Sequence, residues 1–211
     1  MLTPLVDMLR CVNPHADTWL VASIDRAEDR DILLGTLGCP TCLAEYPIRD
    51  GVVLFSERVV RTPLGTPREE DAIRLAAALD LTEPSMTAVL HGEWGSHAPI
   101  IRGISPAQLL LVNPPDGIVT GDGISIVVAE TAPVAYGSAH AVAVDATASP
   151  DMITSLVACL RSGGRMLGPV ALEMPTSLTE LARDDEVWVA RLDATPTSAP
   201  ILPTRRPRPQ G

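Results

Sequence analysis

The sequence predicts an α/β protein in two parts: a small β-rich unit over residues 1–56, and a mostly parallel sheet with flanking helices over 84–193. Three observations predict it. A C-x2-C pair, Cys39 and Cys42, falls in a turn between short apolar runs. Residues 57–70 (ERVVRTPLGTPREE) combine prolines, a glycine and many charges, which marks a boundary. From Thr87 onward short apolar runs alternate with helical ones, the pattern of parallel strands with helical crossovers.

In chain order, residues 2–10 (LTPLVDMLR) have apolar positions at helical spacing and lead into Cys11. Residues 18–24 (TWLVASI) predict a strand, 25–31 (DRAEDRD) a loop tip, and 32–37 (ILLGTL) a second strand entering the C-x2-C turn. Arg49-Asp50-Gly51 predicts a tight turn before a short strand, Val52–Phe55. This first unit, at roughly 55 residues, is too small to rely on an apolar core alone. Residues 57–83 form a linker that carries a predicted helix over 68–80 (REEDAIRLAAALD). Beyond it come TAVLHG, HAPIIRGI, QLLLVN, ISIVVAE, HAVAVDA, PDMITSLVACL, RMLGPV, SLTELARD and EVWVARL. Residues 194–211 hold five prolines and no periodicity, so an extended tail is expected.

Composition narrows the function classes. The 211 residues are 46% hydrophobic, enough to bury a core. All 16 basic residues are arginine, which removes lysine Schiff-base and lysine general-base chemistry. Net charge is −10, and three arginines (Arg205, Arg206, Arg208) lie in the last seven positions. Residues 1–204 therefore carry 13 positive against 26 negative charges, which disfavours a nucleic-acid surface. Six scattered aromatics make no base-stacking platform. No apolar run reaches the ~18 residues of a membrane span, and the N-terminus has no basic flank or cleavage site. A cytoplasmic protein without membrane insertion is expected.

Cys11 and His15 are spaced C-x3-H, and Cys39 and Cys42 form the second pair. Two close pairs brought together by a hairpin supply four S/N ligands, the set that zinc prefers. A small buried pair in a turn is the alternative for the cysteines, and Asp17 is an alternative to His15. Cys159, inside ITSLVACL, is expected in the core.

Residues 5–55 resemble the short zinc-ribbon proteins that bind and activate methyltransferases. The residues that carry the resemblance are Leu9-Arg10-Cys11, Leu37-Gly38-Cys39-Pro40-Thr41-Cys42 and Tyr46-Pro47-Ile48-Arg49-Asp50-Gly51. The sequence departs from that family at Val12-Asn13-Pro14-His15, where a second cysteine is usual. The resemblance implies one structural zinc on Cys11, His15, Cys39 and Cys42.

The stretch from Val128 to Val170 resembles class I S-adenosylmethionine-dependent methyltransferases. The matching residues are Glu130, Pro133, Asp145, Arg161, Gly163 and Gly164. The resemblance implies a reduced Rossmann-like domain over about 105 residues. It also places the cofactor, if bound, at Gly92, Gly95, Asn113 and Glu130. The glycine loop is represented here by Leu90–His97 (LHGEWGSH), in which Glu93 and Trp94 stand where small residues belong. Asn113 stands where an acid normally binds the ribose, and the next acid is Asp116.

Asn113-Pro114-Pro115 also invites an amino-methyltransferase reading, but it follows the second strand and ends in Asp116 rather than an aromatic residue. A strand-terminating turn explains it better. His91, Glu93 and His97 admit a general acid–base role or plain loop polarity. His140 is expected at the start of a strand. Two functions compete. One is a non-catalytic binding or scaffolding subunit of a larger assembly, with a degenerate cofactor site. The other is an active S-adenosylmethionine-dependent methyltransferase with a built-in zinc-ribbon activator. The degenerate loop favours the first. The tail, with Ile201-Leu202 as apolar anchors, is expected to dock on a protein partner.

Overall fold

The computed structural model describes residues 1–59, 61 and 64–193. The expected tail over 194–211 lies outside the described residues. Among the described residues eleven strands form one continuous sheet, in the order β1-β2-β3-β4-β7-β6-β5-β8-β9-β11-β10.

The first four strands are an antiparallel meander: β1 (Val21–Glu28), β2 (Asp31–Gly38), β3 (Glu45–Arg49) and β4 (Val52–Leu54). The β3–β4 turn has positive φ at both central residues, Asp50 (49°) and Gly51 (78°), as a two-residue hairpin requires. Two expectations give way here. The predicted loop 25–31 is mostly strand, because Ala27 and Glu28 pair with Ile32 and Asp31 and the reversal is confined to Asp29-Arg30. The predicted helix over 2–10 shrinks to α1 (Thr3–Val6). After α1 the main chain pairs with the second unit instead: the Arg10 amide donates to Pro133 O at 2.9 Å, and Met8 O accepts from Ala135 at 2.7 Å.

The remaining elements are α2 (Glu69–Ala78), β5 (Thr87–His91), α3 (Ala98–Ile104), β6 (Gln108–Val112), β7 (Ile124–Val128), β8 (Ala139–Ala143), α4 (Pro150–Cys159), β9 (Leu160–Pro169), β10 (Leu178–Arg183) and β11 (Val187–Leu192). Strands β5 to β9 are mutually parallel, and β11 enters antiparallel between β9 and β10. Strands β5 and β7 are buried along their whole length, and β6 and β8 nearly so, as expected of strands covered on both faces. The expected regular strand–helix alternation is only partly present. No helix among the described residues joins β6 to β7, or β7 to β8.

The two parts expected from the sequence share one sheet. Strand β4 pairs in parallel with β7, Val52 to Leu54 against Ile126 to Val128. The fully buried β7 would otherwise present an unpaired edge, and β4 covers it. Leu9, Ile48 and Val53 accordingly share one core with Val112, Val127, Leu156 and Trp188. On the other face α2 and α3 pack Ala72, Leu75 and Ile101 against Leu90, Leu109 and Leu111. No helix among the described residues is long and apolar enough to cross a membrane.

Candidate functional site

The first candidate is a metal centre. Cys11 and His15 lie in the segment entering β1, and Cys39 and Cys42 in the turn that closes β2 against β3. The Leu43 amide donates to Cys39 O and the Cys39 amide to Ala44 O, both at 2.9 Å, which folds this turn into a tight knuckle. The four ligand atoms lie within 4.8 Å of one another. Cys11 Sγ is 3.6 Å from Cys42 Sγ, and Cys39 Sγ is 3.4 Å from His15 Nε2. Tetrahedral zinc, with Zn–S ≈ 2.3 Å and Zn–N ≈ 2.0–2.1 Å, needs edges of ~3.8 Å and ~3.6 Å, so the donor set fits.

The surroundings fit as well. His15 Nδ1 is 2.7 Å from Ala16 O, so it carries the proton and leaves the Nε2 lone pair toward the cysteines. The Tyr46 hydroxyl is hydrogen-bonded to Cys11 Sγ at 3.0 Å, and Asn13 Nδ2 donates to Cys42 Sγ at 3.3 Å. The Ala44 amide, and after it Asn13, brings the Cys42 thiol down to about 6. Asp17 is engaged elsewhere, in an ion pair with Arg10 at 3.4 Å. Neither Asn13 nor Tyr46 is distinguishable in the sequence as a partner of the sulfurs, since only the hairpin brings them there.

The second candidate lies where the sheet changes direction. From β5 the chain proceeds outward to β6 and β7, then returns to lay β8 on the other side of β5. The carboxyl ends of β5 and β8 flank the switch point, the usual ligand crevice of an open α/β sheet. Here the protein's own Asp145 fills the part of that crevice over the loop after β5. Asp145, 1% exposed, accepts from His91 Nδ1 (3.0 Å), the Glu93 amide (2.7 Å), the Thr147 amide (3.0 Å) and the Thr147 hydroxyl (2.7 Å). Burial alone would raise its pKa, but these bonds, His91 first, outweigh it and hold the carboxyl below its usual range.

The two glycines expected to admit a cofactor serve this closure. Gly92 (φ 60°) has the Asp145 carboxylate in the space of a Cβ, and a Cβ on Gly95 would stand 2.7 Å from Pro114 Cβ. The loop continues as a short 3-10 helix, Gly92–His97, in which Trp94 Nε1 donates to Val144 O at 3.0 Å. Asn113 (φ 52°) spends both ends of its amide on Ala129, donating to its carbonyl (2.8 Å) and accepting from its N–H (2.9 Å). Glu130, beyond β7, accepts from the Ser56 hydroxyl at 2.8 Å. The Asn-Pro-Pro segment is a turn held by Arg61, which donates to Pro114 O and Pro115 O.

Beside this loop, under α2, lies a cavity of about 650 Å³. Glu93, Trp94 and His97 line it, together with Arg68, Asp71, Arg74, Asp145, Asp184 and Glu186. His97 is 9% exposed, its Nδ1 has no partner among the described residues, and burial pushes its pKa down. His140, within β8, accepts from the Thr87 amide at 3.1 Å. Cys159 is fully buried at the end of α4, and burial pushes its thiol up to about 12. The sequence offered His91 and Asp145 separately. Their pairing across 54 positions is a product of the topology.

No protein-family model matches the chain, and no curated protein does. Similar solved structures are S-adenosylmethionine-dependent methyltransferases. One is a putative enzyme of this kind from Methanococcus maripaludis, at 11% identity over 59% of this chain and 84% of that chain, with a TM-score of 0.47. A second is a tRNA (m1A58) methyltransferase from Aquifex aeolicus, at 14% identity over 65% and 74%, with a TM-score of 0.44. A third is the geranyl diphosphate C-methyltransferase of Streptomyces coelicolor, solved with Mg2+, geranyl diphosphate and S-adenosyl-L-homocysteine. It shares 15% identity over 47% and 44%, with a TM-score of 0.39. The chain spans about half the length of the geranyl diphosphate methyltransferases it matches.

Proposed function

We propose that the protein is a non-catalytic binding or scaffolding subunit in which a zinc-held ribbon is built onto a methyltransferase-like sheet closed to S-adenosylmethionine. One observation carries this reading: the Asp145 carboxylate occupies the space over Gly92 that a cofactor-binding glycine loop leaves open. Trp94 fixed to Val144 O and the doubly bonded Asn113 support it, since neither is left to hold a methionine or ribose group. Opening the loop would strip a buried carboxylate of its hydrogen bonds, at a cost of several kcal/mol. The zinc is structural, because Cys11, His15, Cys39 and Cys42 fill all four positions of a tetrahedral ion.

The alternative is an active methyltransferase, and the 650 Å³ cavity beside the switch point speaks for it. Titration calorimetry with S-adenosylmethionine decides between them. Binding no tighter than ~10 µM, or roughly −7 kcal/mol, is expected. A tighter dissociation constant overturns the non-catalytic reading.

A further inference from the structure

The cavity under α2 plays no part in the metal centre, and its chemistry is one-sided. Five carboxylates line it against two guanidiniums, and both guanidiniums are already spent. Arg68 donates twice to Asp71, at 2.8 and 3.1 Å. Arg74 lies 2.9 Å from Asp184 and 3.6 Å from Glu186. Among the described residues that line the cavity the one remaining basic group is His97, and burial disfavours its charged form.

Glu93 is different from its neighbours. Its carboxylate has no hydrogen bond or ion pair among the described residues, and its own amide is tied to Asp145 behind it. Burial, and then the Asp145 charge, raise its pKa, the mark of a carboxylate short of a positive partner. Beside it stands Trp94, an aromatic ring suited to a cation. Leu75, Leu167, Val187 and Val189 add apolar lining. The volume suits a small organic molecule, for which pockets run about 300–1,000 Å³.

We propose that this cavity binds a small organic ammonium compound, an apolar or aromatic body bearing one cationic nitrogen, with Glu93 as the ion partner and Trp94 beside the charge. The proposal rests on the reading above that the switch-point loop is closed to S-adenosylmethionine.

Calorimetry on the full metal-loaded chain tests it with three probes of one shape and different charge: phenethylamine, phenethyl alcohol and 3-phenylpropionate. The amine is expected to bind about tenfold or more tighter than the alcohol, and the carboxylate weakest. Glu93→Gln removes the amine preference, leaves alcohol binding unchanged and keeps the wild-type melting temperature. Equal binding of all three probes, no amine binding at millimolar concentration, or an unchanged amine preference in the variant overturns the proposal. Absence of the preference in the unmutated chain, with no binding of S-adenosylmethionine, sinks the proposal alone. An S-adenosylmethionine constant below ~10 µM with the preference intact sinks the closed-loop reading alone.

Discussion

At the scale of single residues, the switch point is a site where glycine and carboxylate are fitted to each other. Gly92 is needed for its φ of 60° and for the room it leaves to Asp145. Gly92→Ala is expected to cost about 2–4 kcal/mol in urea denaturation, from overpacking plus left-handed strain. Gly103→Ala, inside α3 with nothing within 4 Å of the new Cβ, is expected to gain up to about 1 kcal/mol. The depressed pKa of Asp145 has a definite pH consequence. A carboxyl held lower in the folded state stabilises above its unfolded pKa, near 4, and that contribution fades as pH falls through the folded value. Asp145→Asn is expected to lower the melting temperature at pH 7 and to flatten its decline below about pH 4. Parallel melting curves for the two proteins from pH 3 to 7 would contradict this.

At the scale of elements, the antiparallel meander turns on the knuckle between β2 and β3. Within the turn 39–44 between β2 and β3 Cys39 alone is buried, so a metal on the four ligands would supply the cross-link that packing does not. Protein purified without chelator is expected to carry close to one equivalent of zinc, and less than about a tenth with the fold intact would exclude the site. Cys39→Ala and His15→Ala are each expected to lower the metal content and to increase amide exchange in β2 and β3 first. The end of the β6–β7 ladder has its own device, since Asn113 completes a rung with its side chain. Asn113→Ala leaves the Ala129 N–H and C=O unpaired and is expected to cost about 1–3 kcal/mol, read from a denaturation midpoint.

At the scale of the whole molecule, the pairing of β4 with β7 makes the antiparallel meander and the parallel strands one sheet. Their side chains fill one core, with Leu9 and Ile48 of the first unit among the residues packed with Val127 and Leu156 of the second. Metal-loaded protein is therefore expected to melt in a single calorimetric transition, with calorimetric and van't Hoff enthalpies in agreement. Two resolved transitions would show that the units unfold separately.

The sequence by itself determined what local chemistry dictates. The apolar runs announced β5 to β8, the stretch 68–80 announced α2, Asp50-Gly51 announced its turn, and the Cys11/His15 and Cys39/Cys42 pairs announced a set able to hold a metal. These follow from side-chain periodicity, backbone preference and ligand spacing, which are short-range. Tertiary structure alone decided the rest. The helix predicted over 2–10 lost most of its length to pairing with Pro133 and Ala135, and the charged stretch after Ile24 became strand because β2 folded back on it. The switch-point loop was visible in the sequence as a degenerate glycine motif. That its glycines yield to Asp145 and Pro114 rather than to a ligand depends on bringing together residues 53 and 19 positions apart. No local preference encodes such a contact, because its free energy appears only when the sheet has closed around it.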